Sequence, residues 1–273
     1  MLGKLTKYEF QATQRVFLPL YGLILALAAL IRLFTQFNLQ EAEGVAILPF
    51  VITTIVYGIL IAAVCVMTLV VTVQRFQKNL LGDEGYLSFT LPVKPHSHID
   101  SKMIVSLVWN ILSFAISAVS VVILAYDGDF SANLVAFWGS VRQWFHTYGA
   151  VSHVLVWECI VLAAVLVLTG ILQLYASTIV GNLSSKHKLL AGFGAFIGFS
   201  VVETVAASFL TDRAANIVVH ISQSSGWFDT STASQQMWAA AAVIGFALIF
   251  TLVFGLLFYF LTEWMLRKKL NLE

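Results

Sequence analysis

The chain has 273 residues, of which 59% are hydrophobic and only 11% charged, with a formal net charge of +1. A soluble domain carries roughly 25% charged residues, so this composition, with a mean hydropathy of +0.89, is that of an integral membrane protein. The near-neutral balance argues against a nucleic-acid partner, which needs a clustered basic surface.

In chain order, Leu2, Leu5, Tyr8, Ala12 and Val16 recur at helical spacing with Lys4, Lys7, Glu9 and Arg15 between them. This predicts an amphipathic surface helix over residues 1–16, lying on the cytoplasmic face of the membrane. A secretory signal cleaved near Ala26-Leu27-Ala28 is the rival reading. Glu9 in the leader and an apolar run that continues past the site speak against it.

Six apolar spans are expected, over residues 17–34, 45–73, 103–126, 151–180, 189–210 and 237–261. The second is long for one crossing, at roughly 40 Å by helical rise, and should tilt or protrude. Between the second and third spans lies a charged, turn-rich insert, residues 74–102. Residues 127–150 carry Leu134, Phe137, Trp138, Val141, Trp144, Phe145 and Tyr148 on one helical face, as an interfacial helix would. Residues 211–236 read as a polar external segment with a helical piece over 214–221. The fold class is thus an all-α membrane protein, a single transmembrane domain over residues 1–273. Of the 15 Lys and Arg residues, 12 fall on the side that holds both termini and the insert. The positive-inside rule places that side in the cytoplasm.

Cys65 and Cys159 lie in apolar runs and read as small buried hydrophobes, with neither a disulfide framework nor metal-ligand spacing. No GxxxxGK[ST] loop is present, so ATP is not expected to bind this chain. Gly194-xxx-Gly198 reads as a close helix-packing face. His96, His98 and Asp100 alternate in a Pro-flanked stretch without a further ligand cluster and read as a solvated loop, with no metal. Glu158 and Glu203 each lie about seven residues, roughly 10 Å, from the predicted outer ends of their spans. Carboxylates at such depth face a cavity or a partner, and Arg32 and His153 are the candidate partners. A helix-locking polar cluster and a role in a translocation path both remain open.

The insert is the most specific pattern. Gly82-Asp83-Glu84-Gly85 interrupts a helix, Tyr86, Leu87, Phe89 and Leu91 follow as exposed hydrophobes, and Pro92 and Pro95 close the segment. It resembles the cytoplasmic coupling loop of type-2 ABC exporter permeases: Glu84, Gly85-Tyr86-Leu87, Phe89-Thr90-Leu91, Pro92 and Ser101-Lys102 stand at the matching places. The layout of surface helix, six spans, loop after the second span and external helices before the sixth is similar too. Tyr86 replaces the Thr common elsewhere in that superfamily, which fits a bacterial peptide or antibiotic exporter branch.

The resemblance implies a multi-pass permease subunit in the bacterial cytoplasmic membrane, with both termini cytoplasmic. It would pair with a second, identical copy and with two separate ABC ATPase subunits that bind the ATP and Mg. The chain itself would be no enzyme and hold no cofactor. Asp83, Glu84, Gly85, Tyr86, Leu87, Phe89, Leu91 and Pro92 would couple it to the ATPases, and the second and fifth spans would line the path. Thr53, Thr54, Thr68 and Thr72 are mild polar points on the second span, and walls this apolar suit amphipathic peptides or lipophilic drugs. Three other readings stand beside this one. One is an ion- or proton-coupled carrier using Glu158 and Glu203, another a membrane enzyme using His153 and Glu158, and the third a non-transporting anchor.

Overall fold

Long apolar runs give long helices, because a backbone in hydrocarbon must satisfy its own hydrogen bonds. The computed structural model describes residues 2–41, 44–81, 95–126, 129–184, 186–225 and 233–268. The elements are α1 (Leu2–Gln36), two 3-10 turns (Leu39–Glu41 and Gly44–Ile47), α2 (Leu48–Phe76) leading into a π-helical turn (Gln77–Leu81), and α3 (Pro95–Ala125). They continue with α4 (Phe130–Tyr148), α5 (Ala150–Asn182), α6 (Lys188–Ser225) and α7 (Ala233–Lys268). Among the described residues there is no strand. Every helix except α4 contains a segment long and apolar enough to cross a membrane, six in all. The protein is an all-α, multi-pass membrane protein.

The chain divides into two compact units, Met1–Asn133 and Leu134–Glu273. In the first, α1 lies along α3 and α2 packs against both. The core is Phe17, Tyr21, Ile24, Ala28 and Ile31 from α1, Tyr57 and Val64 from α2, and Val105 and Trp109 from α3. Trp109 is the centre of the α1–α3 seam: its ring stacks between Phe10 and Phe17, with centroids 4.7 and 4.6 Å away. Hydroxyl pairs fasten α2 to the others. Tyr57 meets Ser120 at 2.8 Å, Thr68 meets Ser113 at 3.2 Å, and Ser113 meets Tyr21 of α1 at 2.7 Å.

The first helix differs from expectation. Residues 2–16 are not a separate surface helix; α1 runs unbroken for 35 residues, with Pro19 inside it. The stripe that faces α3 is Phe10, Thr13, Phe17, Tyr21 and Ile24, whereas Tyr8 and Val16 of the predicted stripe are exposed. Because that seam continues across residue 16, nothing favours a break there.

In the second unit, α5 is the central helix, with α7 parallel to it and α6 antiparallel. Gly255 of α7 gives way to Thr169: a Cβ there would stand 2.8 Å from the Thr169 hydroxyl, which itself donates to the Thr251 carbonyl at 3.2 Å. On the other side, Gln173 of α5 donates to Ser200 of α6 at 2.8 Å. Gly181 lies so close to α6 that a Cβ on it would stand 2.6 Å from the Gly192 backbone. The close-packing glycines are therefore Gly181 and Gly192. Gly194 and Gly198 have open space beside them and make no such contact within the chain.

Three further boundaries move. α3 starts at Pro95, so residues 95–102 are helix and the segment between α2 and α3 shrinks to 82–94. Pro suits the first helical turn, where its missing N–H has no intrahelical partner. α6 continues through Ser225, so the helical piece expected over 214–221 is the end of one long helix. α4 forms as expected and buries none of its residues. A single Gly149, at φ +55°, turns the chain into α5; that backbone favours glycine because it has no Cβ. Cys65 and Cys159 are both exposed rather than buried. An apolar side chain in a membrane protein is as well solvated by lipid as by the core.

Candidate functional site

A polar cluster lies between α1, the end of α2 and the opening turns of α3. Its centre is Glu9, two turns into α1. Lys102, in the second turn of α3, pairs with Glu9 Oε1 at 2.5 Å, with the two side chains 5% and 15% exposed. Asn79, within the π-helical turn that ends α2, donates its side-chain N–H to the same oxygen at 3.0 Å. One carboxylate oxygen on α1 therefore ties the end of α2 to the second turn of α3. A buried pair of this kind survives only with good geometry and supplementary hydrogen bonds, and the Asn79 amide provides one.

The cluster is backed by the α1–α3 seam. Thr13, one turn beyond Glu9, accepts the Trp109 indole N–H at 2.6 Å and donates to the Glu9 carbonyl at 2.9 Å. A small cavity opens beside it, lined by Glu9, Thr72, Arg75, Lys102, Ser106 and Trp109. His98 is buried on the same helix, and Ser101 donates to its carbonyl at 3.0 Å. His96, His98 and Asp100 thus stand on the opening turns of α3 and not in a solvated loop. Thr68 and Thr72 also face this interior: both are buried and donate to backbone carbonyls one turn back. Thr68 meets Ser113 of α3, and Thr72 lines the small cavity.

The expected coupling residues Asp83, Glu84, Gly85, Tyr86, Leu87, Phe89, Leu91 and Pro92 lie outside the described residues. What the structure adds is the tie through Glu9 between the two helices on either side of them. Glu9 and Asn79 did not stand out in the sequence. The signal was there in retrospect: Glu9, Thr13, Phe17 and Tyr21 recur every four residues, placing one acid on a buried stripe.

The intramembrane polar residues do not form a single cluster. Arg32 is in the first unit, with Thr35 as its local partner at 3.4 Å. In the second unit, His153 is exposed, its ring 4.7 Å from that of Phe145. Glu158 points into the α5–α7 crossing, with Oε1 3.3 Å from where a Cβ on Gly245 would stand. Its Oε2 is buried without a hydrogen-bond partner. Glu203 belongs to another level. The pairings Gln173–Ser200 and Gly181–Gly192 fix the antiparallel register of α5 and α6. Continued along the helices, that register sets Glu203 beside Gly170, about three turns or roughly 18 Å from Glu158. The equal depth inferred from span ends is thereby corrected. The cause is that α6 extends well past residue 210, so the end of its apolar run does not mark the same level as the start of α5. His153, Glu158 and Glu203 make no hydrogen bond or ion pair with one another among the described residues.

Among the described residues there is no grouping of three or more His, Cys, Asp or Glu that could hold a metal. No family model, curated protein or solved structure matches the chain.

Proposed function

We propose that this chain is the membrane-spanning permease subunit of an ATP-driven exporter of the type-2 ABC class, working with a separate ATPase and a second permease copy. The observation that carries the reading is the tie between the two helices that flank residues 82–94. A loop that receives force from a partner passes it on through the helices it joins, and here the end of α2 and the second turn of α3 are both tied to α1 through Glu9. The hydrophobes of the segment, Tyr86, Leu87, Phe89 and Leu91, would fill a groove on the ATPase while Asp83 and Glu84 set register. The distribution of Lys and Arg favours a cytoplasmic side for residues 74–102 and for both termini. Apolar helix faces favour amphipathic peptides or lipophilic drugs as cargo. The carrier reading requires Glu158 and Glu203 to titrate together, and their separation along α5 and α6 weakens it.

The test is a tagged purification in mild detergent from the native cell. A near-stoichiometric co-eluting ATPase with vanadate-sensitive hydrolysis, lost with Leu91→Asp, is the expected result. A chain that elutes without any ATPase, and transports without one, overturns the reading.

A further inference from the structure

α5 places a carboxyl group where nothing in the chain answers it. Glu158 stands just over two turns, roughly 12 Å, inside α5, within a segment apolar enough to cross a membrane. It makes no hydrogen bond and no ion pair among the described residues, and its Oε2 is buried without a donor. Oε1 is not enclosed in the same way, and the residue as a whole is half-buried, so the carboxyl is reached from the surface of the α5–α7 pair. Gly245 of α7 keeps a gap beside it: a Cβ there would stand 3.3 Å from Oε1. The rim of the gap is apolar. Val161 and Ile249, one turn further along α5 and α7, are exposed, as are Trp157 and Ala242.

An ionisable group at such depth faces a counter-charge in a partner or a cavity, and among the described residues of this chain none supplies it. A hard metal ion takes about six oxygen ligands or more, whereas Glu158 offers one carboxyl and belongs to no grouping of three or more His, Cys, Asp or Glu among the described residues. An organic cation needs less: a charge-assisted hydrogen bond for its head and an apolar surface for its body. We propose that Glu158 and the gap at Gly245 form a binding site for an amphipathic organic cation, a primary amine or guanidinium on an apolar body. The head donates to Oε1 while the body lies along Val161 and Ile249. Roughly three turns further on, Thr169 locks the same two helices together against Gly255 and the Thr251 carbonyl, so the site is held open before a ligand arrives. Within the permease reading, this narrows the cargo to cationic amphiphiles. The inference rests on that reading only for calling the ligand cargo.

The experiment is a binding titration of the full chain in nanodiscs of zwitterionic lipid, with the signal of empty nanodiscs subtracted. The probe is monodansylcadaverine, a primary amine on an apolar fluorophore; its N-acetyl derivative has the same body without the charge. The amine is expected to bind saturably and roughly tenfold or more tighter than the acetyl derivative. Glu158→Gln should remove that difference and leave the affinity of the acetyl derivative unchanged. Gly245→Ala, which keeps the carboxyl but fills the gap, should weaken the amine as well, and Glu203→Gln should not. Equal affinity for the two probes in the wild-type chain overturns the site, and this comparison needs no variant to fold. A preference for the amine that survives Glu158→Gln overturns it too, as does failure of both probes to bind above empty nanodiscs. The cargo role is read separately: the amine should stimulate vanadate-sensitive hydrolysis by the co-purified ATPase. A bound amine that leaves hydrolysis unchanged overturns the cargo role and leaves the site standing. Absence of an ATPase from the purification overturns the permease reading, while the two-probe comparison still decides the site.

Discussion

Trp109 on α3 donates its indole N–H to the Thr13 hydroxyl on α1 at 2.6 Å, with its ring held between Phe10 and Phe17. Two contributions are separable here. Trp109→Phe keeps an aromatic ring in the stack and removes only the hydrogen bond, which should cost about 1 kcal/mol. Trp109→Ala removes both and leaves a cavity, with an expected loss of about 3–5 kcal/mol. Thermal unfolding of the detergent-solubilised chain reads the difference. If the alanine variant melts with wild type, the seam does not hold α1 to α3.

The Glu9–Lys102 pair predicts an asymmetric double-mutant cycle. Lys102→Met leaves a carboxylate buried with only the Asn79 amide, and breaking a buried pair in this way costs roughly 3–5 kcal/mol. Combining it with Glu9→Leu removes both charges and should recover most of that loss, because an apolar pair of similar volume is close to neutral at such sites. Urea or thermal denaturation of the two single variants and the double variant measures the coupling. Additive losses would mean that the two side chains act independently.

These contacts explain which parts of the structure could be read from sequence. The six spans were plain, because twenty or so apolar residues in a row have few other fates. The helix faces were not. Lipid and core are equally apolar, so hydrophobic periodicity does not tell which side is inside; Cys65 and Cys159 look like core residues and face outward. The inward face is marked by polar and aromatic side chains that need partners, such as Thr13, Tyr21, Thr68, Trp109, Ser113 and Ser120. Lys102 shows the same effect at a boundary. Its charge suggested a loop, yet pairing with Glu9 lets it sit within a helix, and that partner is 93 residues away in sequence.

Gly181 and Gly194 should respond oppositely to alanine. Both are helical, where alanine is ordinarily favoured over glycine by about 1 kcal/mol. A Cβ on Gly181 would stand 2.6 Å from the Gly192 backbone and 2.7 Å from the Lys188 carbonyl. Backbone cannot yield by changing rotamer, so α5 and α6 must part, at a cost of about 1–3 kcal/mol or more. Gly194 has nothing within 4 Å, and its alanine variant should be neutral or slightly stabilised. Melting temperatures of the two variants decide the matter; equal behaviour would place the crossing elsewhere.

Glu158 and Glu203 offer the sharpest check on the register of the second unit. Were they a pair at one depth, replacing either would alter what the other does, and the double variant would depart from the sum by 0.5–3 kcal/mol, the usual range for residues in contact. The Gln173–Ser200 and Gly181–Gly192 contacts instead set them about three turns apart, beyond the separation of roughly 7–10 Å at which mutational effects usually become independent. Glu158→Gln and Glu203→Gln should therefore add in the double variant to within about 0.5 kcal/mol, whether the readout is unfolding or a transport rate converted to free energy. Glu158→Gln should also be sensitive to its crossing partner. Gly245→Ala brings a Cβ to 3.3 Å from the Glu158 carboxyl, so those two substitutions are expected to be non-additive while Glu203→Gln remains additive with both. Coupling between the two carboxylates with none between Glu158 and Gly245 would overturn the register and restore the shared-depth arrangement.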